Sequence, residues 1–337
     1  MKPLSRSLLG IAVFFYIVLA MPAVTLAVLL VTGGETTHGR IFGLACILAF
    51  PAPVLLWFSS FLKKRRRWHI TAACLLVLAV ILAVICYCMT PDGNGVAGSG
   101  VKSVFVGKTS YRRASIANLV PEIDQLKLGT YVFPRIDPFI DAKQGVRIRN
   151  LFLNVYRDMR QSDDFVQLGS VLGYVYRDMF LNSRPTGHLY QYVPPAEKDG
   201  SRLPVILFLH GSLGNFRGYL WVWKRFADKH GYAIVAPTFG AGNWFLDGGI
   251  EAVEQARQYC LNHPRMDGKR IILAGLSNGG TGVSRVAAQN PTAYQGLIFM
   301  SPVMESEIVS GEAFIKGWKG RRVFVLSGSE DRRIPIR

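Results

Sequence analysis

The sequence contains a serine held between glycines, Gly275-Leu276-Ser277-Asn278-Gly279, which fits the pattern Gly-x-Ser-x-Gly. The apolar run IILA precedes this motif, and TGVSRVAAQNP, which has the spacing of a helix, follows it. A strand, a sharp turn and a helix in that order form a nucleophile elbow, which exposes a serine for attack on a carbonyl carbon. Glycines permit the strained turn, and the helix N-terminus favours developing negative charge. The motif therefore predicts that Ser277 is a catalytic nucleophile.

A second motif, FLHGSLG at 208–214, ends an apolar strand upstream of the serine. Attack by a serine produces a tetrahedral oxyanion, which needs two donors, commonly backbone N–H groups. We predict that the N–H groups of Ser212 and Asn278 are these donors, and that Gly211 lets the backbone approach closely. His210 could be taken for the catalytic base, but we interpret its side chain as a brace for this loop. His210 and Gly211 are also candidate pocket residues.

A third motif, GSEDRRIP, follows the apolar strand VFVLSG near residue 326. A triad acid belongs after a strand that comes later than the elbow, in the order Ser…Asp…His. We predict Asp331 as this acid, with Glu330 the poorer candidate. The segment FGAGNWFLDGG follows another strand, so Asn243, Trp244 and Asp247 are candidates for the pocket wall. Trp244 fits a packing role equally well.

The elements around these motifs alternate between strands and helices from His188 onward. The predicted strands are HLYQYVP, VILFLH, YAIVAP, RIILAG, GLIFMSP and RVFVLSG, and helices are expected near 218–230, near 248–262 and from 278. Fully apolar strands separated by helices indicate a mostly parallel sheet with helices on both faces. We therefore predict an α/β domain over residues 187–337.

With its motifs FLHGSLGN, GLSNGG and SGSEDRRIP, the domain at 187–337 resembles an α/β-hydrolase of the esterase, prolyl-oligopeptidase-like branch. The resemblance implies a Ser-Asp-His triad with Ser277 as nucleophile, Asp331 as acid, and Ser212 and Asn278 as oxyanion donors. In that family the basic histidine lies on a loop after the acid. The six histidines of this chain, at 38, 69, 188, 210, 230 and 263, all precede Asp331. We therefore expect the base beyond residue 337, with the domain truncated at its C-terminus.

The first part of the chain has three stretches without charged residues, at 7–34, 41–62 and 69–91. Each has about the 20 apolar positions that a helix needs to cross a bilayer. We predict a membrane region over 1–90, with three transmembrane helices at about 8–32, 41–62 and 69–90. A cleaved signal peptide is the alternative for the first stretch.

The basic residues predict the orientation of these helices. Lys2 and Arg6 precede the first stretch and KKRRR, at 63–67, separates the second from the third. By the positive-inside rule both lie in the cytoplasm, so the chain after Pro91 lies outside it. We predict a multi-pass protein of the cell membrane, with a Gly-rich linker at 91–100 and a mostly helical extension at 101–186.

The formal net charge of +17 fits a scattered basic surface, or attraction to anionic lipid headgroups or to an acidic substrate. The sequence has no zinc-finger spacing and no aromatic-basic interleaving, so we predict no nucleic-acid partner. It also lacks a P-loop, a metal-ligand cluster and a dinucleotide fingerprint, so we predict no cofactor and no metal site. Four of the five cysteines fall in the apolar stretches, which excludes a disulfide framework.

These features predict a membrane-anchored, extracytoplasmic serine hydrolase that cleaves a carboxylic ester. Its partners would be a small-molecule ester or peptide and the lipid bilayer. The same triad would serve a peptidase or an acyltransferase. A non-catalytic membrane receptor or scaffold that retained the hydrolase fold is the alternative from a different class.

Overall fold

The computed structural model describes residues 3–59, 61, 65–181, 187–195 and 201–334. The chain divides into two compact units. The first, here called the helical unit, comprises Met1–Thr90 and Arg113–Leu153, and the second, the sheet unit, comprises Pro91–Arg112 and Asn154–Arg337. Each unit is built from a different residue pattern.

The helical unit begins with long apolar helices. Three of its described stretches are long and apolar enough to cross a membrane: Gly10–Gly33, Thr37–Ser59 and Arg65–Met89. These stretches coincide with the three predicted from the sequence. Lys2, Lys63 and Lys64, which support the predicted orientation, lie outside the described residues. The helices of the unit are α1 (Pro3–Gly33), α2 (Thr37–Ala49), α3 (Pro51–Ser59), α4 (Arg65–Met89), α5 (Ile116–Leu119), α6 (Glu122–Ile136) and the first part of α7 (Ala142–Met159).

The second apolar stretch is two helices rather than one. Helix α2 ends at Ala49 and α3 begins at Pro51, because proline has no N–H to continue the hydrogen-bond ladder. The carbonyl of Phe50, between the helices, accepts a hydrogen bond of 2.9 Å from the Tyr16 hydroxyl on α1. A side chain of the first helix therefore contacts the backbone at the break between α2 and α3.

The sheet unit contains a seven-stranded sheet in the order β1-β2-β4-β3-β5-β6-β7. Strand β2 runs antiparallel to its neighbours β1 and β4, and the pairs from β4 through β7 are all parallel. The α/β class and the mostly parallel sheet predicted from the sequence are thus confirmed. The strands are β1 (Val101–Phe105), β2 (His188–Tyr192), β3 (Leu203–Leu209), β4 (Ala233–Pro237), β5 (Met266–Leu276), β6 (Gly296–Met300) and β7 (Arg322–Leu326).

Strand β3 shows why both faces of this sheet carry helices. Its alternate residues Val205, Leu207 and Leu209 are completely buried in the main core. The side chain of Phe208 packs instead against Tyr219 and Trp223 of α10, with ring centroids 5.4 and 5.6 Å away. A strand that buries both sets of side chains is apolar along its length.

The helices of the sheet unit fill the connections between strands. Residues of α11, α12 and α14 share the main core with β3 and β5. The helices are the end of α7, α8 (Asp163–Val166), α9 (Leu172–Leu181), α10 (Arg217–His230), α11 (Asp247–Asn262), α12 (Gly279–Gln289), a 3₁₀ turn (Pro291–Ala293), α13 (Ser306–Val309) and α14 (Glu312–Trp318).

The prediction of a helical extension at 101–186 is wrong at its beginning. Residues Val101–Phe105 form β1, which pairs with β2 from Val101↔Tyr192 to Phe105↔His188. The alternation of buried and exposed residues in VKSVF suits an edge strand, whose pairing partner lies far along the chain. Helices α5 to α9 follow in the same segment, and the division into two units falls within it twice, after Arg112 and after Leu153.

Candidate active site

Ser277 lies on a left-handed turn between β5 and α12. Its φ is +51°, a conformation that non-glycine residues rarely adopt. Its N–H donates to the Met300 carbonyl (2.9 Å), and its carbonyl accepts from Val303 N–H (2.9 Å) and Gly280 N–H (2.8 Å). Three backbone hydrogen bonds thus hold the strained residue, whose side chain is half-buried. A strained backbone that several hydrogen bonds hold in place is typical of a nucleophile elbow.

The glycines of the elbow are required by backbone contacts. A Cβ atom on Gly275 would lie 2.5 Å from the Gly279 carbonyl oxygen, and one on Gly279 would lie 2.2 Å from the Leu209 carbonyl oxygen. Both distances are far below van der Waals contact, and the obstructing atoms belong to the backbone. Only glycine therefore lets α12 begin so close to the ends of β5 and β3.

The loop after β3 lies directly against the serine. A Cβ atom on Gly211 would be 3.2 Å from the Cβ of Ser277, and one on Gly242 would be 2.8 Å from the Gly211 carbonyl oxygen. Within the part of the chain that the structure describes, the N–H groups of Ser212 and Asn278 have no protein acceptor. Two backbone donors beside a serine hydroxyl have the chemistry of an oxyanion hole.

His210 is a buried brace for this loop. Its Nδ1 lies 2.8 Å from the Gly211 carbonyl oxygen, and its Nε2 lies 3.2 Å from the amide nitrogen of Phe239. This pairing requires a proton on Nδ1 and a lone pair on Nε2. Burial lowers the pKa of His210 to about 4, against the raising effect of the Gly211 carbonyl. The ring is therefore neutral, and the backbone occupies both of its nitrogens.

Trp244 lies in the core rather than on a pocket wall. Its side chain is completely buried, its Nε1 donates to the His210 carbonyl (2.8 Å), and its ring centroid is 4.9 Å from that of His210. The neighbouring Asn243 is half-buried in the loop that follows β4. Asp247 lines a different cavity, of about 760 Å³, together with Ile250 and Glu251 of α11.

Asp331 follows β7 and is anchored by local hydrogen bonds. Its Oδ1 accepts from the N–H groups of Arg333 and Ile334, each at 3.0 Å. The Ile334 N–H, followed by the Ser301 hydroxyl and Arg333, holds the pKa of Asp331 below its usual value, against partial desolvation. The carboxyl group is therefore an anion at neutral pH.

The serine and the acid lie at the same edge of the sheet. Ser277 follows β5 and Asp331 follows β7, with β6 between them. Two strand spacings separate their strands by about 10 Å, which leaves room for an imidazole ring hydrogen-bonded on both sides. Ser301 directly follows β6 and connects it to β7 and to the acid. Its N–H donates to the Leu326 carbonyl, and its hydroxyl donates to the Asp331 carboxylate. No motif in the sequence marks Ser301 as a site residue, and its position after a predicted strand was the one indication.

The described histidines of the sheet unit lie away from Ser277 or are already bonded. His230 is the last residue of α10 and His263 directly follows α11, at the ends of helices that begin on the Ser277 side of the sheet and run back to its other side. His188 is buried on β2, three strands from β5, with its Nδ1 2.9 Å from the Thr238 hydroxyl. The residues that the structure describes also include no group of three or more His, Cys, Asp or Glu able to hold a metal ion.

The two buried histidines predict a loss of stability in acid. Burial lowers the pKa of His188 to about 3 and that of His210 to about 4, whereas unfolded histidine titrates near 6.5. Below about pH 6.5 the unfolded state therefore binds more protons, and stability falls toward about pH 4 by up to ~1.4 kcal/mol per pH unit for each group. We expect urea-unfolding midpoints to show this slope, His210→Gln to reduce it, and the exposed-site control His230→Gln to preserve it. An unchanged slope in His210→Gln would contradict the assignment of His210 as a neutral brace.

No protein-family model matches the chain. Among curated proteins, the chain is similar to the acylamino-acid-releasing enzyme of Mus musculus, with 25% identity over 140 residues. The match covers 37% of this chain and 19% of that enzyme, so the chain spans about a fifth of the length of this curated relative.

Solved structures similar to the chain include several hydrolases. A thermostable esterase is 21% identical over 44% of this chain and 44% of its own, with a TM-score of 0.37. An S-formylglutathione hydrolase from Staphylococcus aureus is 16% identical (42% and 70% of the two chains, TM-score 0.35). A poly(3-hydroxybutyrate) depolymerase from Bordetella parapertussis is 22% identical (44% and 63%, TM-score 0.36). The parallel sheet, its helices on both faces and the turn from β5 to α12 give the sheet unit the α/β-hydrolase fold.

Proposed function

We propose that the protein is a serine hydrolase that cleaves carboxylic esters and is anchored in a membrane by its three apolar stretches. The observation that carries this proposal is the left-handed Ser277, held against a loop whose Ser212 N–H has no acceptor among the described residues. A serine that served only packing would not need a strained backbone beside two unused donors. The sequence match to the acylamino-acid-releasing enzyme of Mus musculus agrees with this proposal.

The proposed reaction begins with attack of Ser277 Oγ on the ester carbonyl carbon. A base removes the hydroxyl proton, and the N–H groups of Ser212 and Asn278 stabilise the oxyanion of the tetrahedral intermediate. Collapse of the intermediate releases the alcohol, which takes the proton from the base, and leaves an acyl-serine. Water then attacks the acyl-serine and gives a proton to the base. Collapse of the second tetrahedral intermediate releases the carboxylic acid, and the base returns the proton to Ser277 Oγ.

Asp331 is proposed to orient the base and to stabilise its positive charge after proton transfer. In this fold the triad follows the order Ser…Asp…His, whereas the six histidines of the printed sequence all precede Asp331, so we leave the base unassigned. His210 is a poor candidate because backbone groups bind both of its nitrogens.

An acylated amino acid or peptide is the second substrate class we propose. The supporting observation is the sequence match to the acylamino-acid-releasing enzyme. Ester and amide cleavage share the acyl-serine and the oxyanion hole, so the site geometry is compatible with both. Parallel assays with p-nitrophenyl butyrate and acetyl-alanine p-nitroanilide would distinguish the two, because only a peptidase-like site releases the anilide.

We propose that the N-terminus and the basic loop between α3 and α4 face the cytoplasm and that the sheet unit lies outside. The proposal rests on the basic residues Lys2, Arg6 and KKRRR at 63–67, because short cytoplasmic loops are rich in Lys and Arg. The segment 33–40, which contains the turn between α1 and α2 and the start of α2, has one acid and one arginine, Glu35 and Arg40. That balance suits the opposite side of the membrane.

Chemical rescue by imidazole tests the nucleophile and the base together. A positioned general base contributes about 10²–10⁴-fold to such a reaction, so even a diffusing base should give a measurable increase. We expect imidazole to accelerate hydrolysis of p-nitrophenyl butyrate by the 337-residue chain, after subtraction of the imidazole-only rate. The increase should vanish in Ser277→Ala and persist in the control Ser310→Ala, which changes an exposed serine on α13's C-terminal side.

Two other results of this assay would be decisive. An increase that survives Ser277→Ala would exclude Ser277 as the nucleophile. Rapid Ser277-dependent turnover without imidazole would show that a base is already present among the 337 residues.

The proposed orientation predicts opposite activities for a reporter enzyme fused at two positions of the chain. A phosphatase that is active only outside the cytoplasm should be active when fused after Gly100 and inactive when fused at Arg66. A cytoplasm-specific fluorescent reporter at the same two positions serves as the reciprocal control. The inverse pattern would refute the proposed orientation and, with it, the extracytoplasmic sheet unit.

A further inference from the structure

The helical unit exposes large apolar side chains outside its three apolar stretches. Ile136 is 70% exposed, and Val132, one turn earlier on the same face of α6, is 44% exposed. Phe139, in the turn between α6 and α7, is 47% exposed. We call residues 122–153, which comprise α6, this turn and the first part of α7, the helical hairpin, and Val132, Ile136 and Phe139 its apolar tip.

The helical hairpin is attached to the turn between the first two apolar stretches. The completely buried Asp124 carboxylate accepts hydrogen bonds from the N–H groups of Glu35 and Thr36 and from the Thr36 hydroxyl. Lys127 adds an ion pair of 3.2 Å with Glu35, in which both side chains are largely shielded from solvent. If α1 and α2 cross a bilayer, the turn that joins them lies at its surface. The base of the hairpin therefore lies at that surface too.

The length of α6 places the apolar tip within reach of the same surface. From Lys127 to Ile136 the helix rises about 14 Å, at 1.5 Å per residue. Hydrogen bonds also keep the tip ordered: Asp137 accepts from Phe139 N–H (3.0 Å), and Asp141 accepts from Gln144 N–H (2.8 Å). The tip is thus a defined surface.

The charges around the tip suit an anionic leaflet. Arg135, Lys143 and Arg147 flank the apolar tip and are exposed. The two acids of this region, Asp137 and Asp141, accept backbone hydrogen bonds at the turn and at the start of α7. Apolar side chains bordered by arginine and lysine are the pattern of a helix that lies in the headgroup region of a membrane.

We propose that the helical hairpin is a membrane-interface element, in which Val132, Ile136 and Phe139 enter the headgroup region of an anionic leaflet while Arg135, Lys143 and Arg147 contact lipid phosphates. A lipid surface fits better than a protein partner because Asp124 and Lys127 fix the hairpin to a turn between lipid-facing helices. The proposal rests on the membrane anchorage proposed above. It adds a contact that would fix the height of the hairpin relative to the bilayer.

The depth of a fluorescent label tests this proposal in the full chain. The five cysteines are first replaced by alanine, and Ile136→Cys, Val132→Cys, Val77→Cys and Val222→Cys are labelled separately with an NBD fluorophore. All four positions are exposed, so substitution leaves no cavity. Each protein is reconstituted into vesicles of equimolar phosphatidylglycerol and phosphatidylcholine, with nitroxide-labelled lipids that quench either at the headgroup or in the acyl chain. Val77 on α4 reports on the anchor, and Val222 on α10 is the exposed aliphatic control in the sheet unit.

We expect headgroup nitroxides to quench labels at Ile136 and Val132 strongly, acyl-chain nitroxides to quench Val77, and neither to quench Val222. In vesicles of phosphatidylcholine alone, or with Arg135→Glu and Lys143→Glu present, quenching at Ile136 should decrease while that at Val77 persists. Quenching at Val77 without quenching at Ile136 or Val132 would overturn the hairpin proposal alone. A blue-shifted but unquenched Ile136 label would do the same by showing burial against protein. No quenching at Val77 would refute the anchor and the hairpin together.

Discussion

The close contact between the end of β3 and the start of α12 is the constraint on which the sheet unit depends. A Cβ atom on Gly279 would lie 2.2 Å from the Leu209 carbonyl oxygen, so this contact exists only with glycine at that position. It lets α12 start immediately after β5, which forces Ser277 into the left-handed region at φ +51°. The same contact brings the loop after β3 beside the serine. The start of α12 and the position of the loop after β3 therefore both depend on one close backbone contact.

A buried network then holds the loop in place. His210 bonds Gly211 through one ring nitrogen and Phe239 through the other, and its carbonyl accepts from Trp244 Nε1. The ends of β3 and β4 are thereby connected through a single neutral ring. Loss of any partner would leave a buried polar group unsatisfied, at a cost of about 1–3 kcal/mol. The network explains how Gly211 and Ser212 keep their place beside Ser277 without a bond to it.

The sequence predicted the parts of this architecture that depend on local pattern. Apolar runs gave β2 to β7, the unbroken charge-free stretches gave the long helices, and the glycine spacing around Ser277 gave the elbow. The sequence did not predict features that depend on contacts with residues far along the chain. Strand β1 contains a lysine and a serine among its five residues and pairs with β2, which lies far along the chain. The burial of Trp244 likewise depends on the carbonyl of His210. Pro51 accounts for the split of the second apolar stretch at Phe50, whereas no sequence pattern indicated the hydrogen bond from the Tyr16 hydroxyl to the Phe50 carbonyl.

The location of a covalent adduct tests most directly whether Ser277 is the nucleophile of the proposed esterase site. The chain would be treated with a biotinylated fluorophosphonate in the presence of imidazole, digested, and sequenced by mass spectrometry. We expect one phosphonylated residue, Ser277, and no adduct when the chain is unfolded before treatment. An adduct on the neighbouring Ser212, or on a serine of the helical unit, with Ser277 unmodified would contradict this expectation.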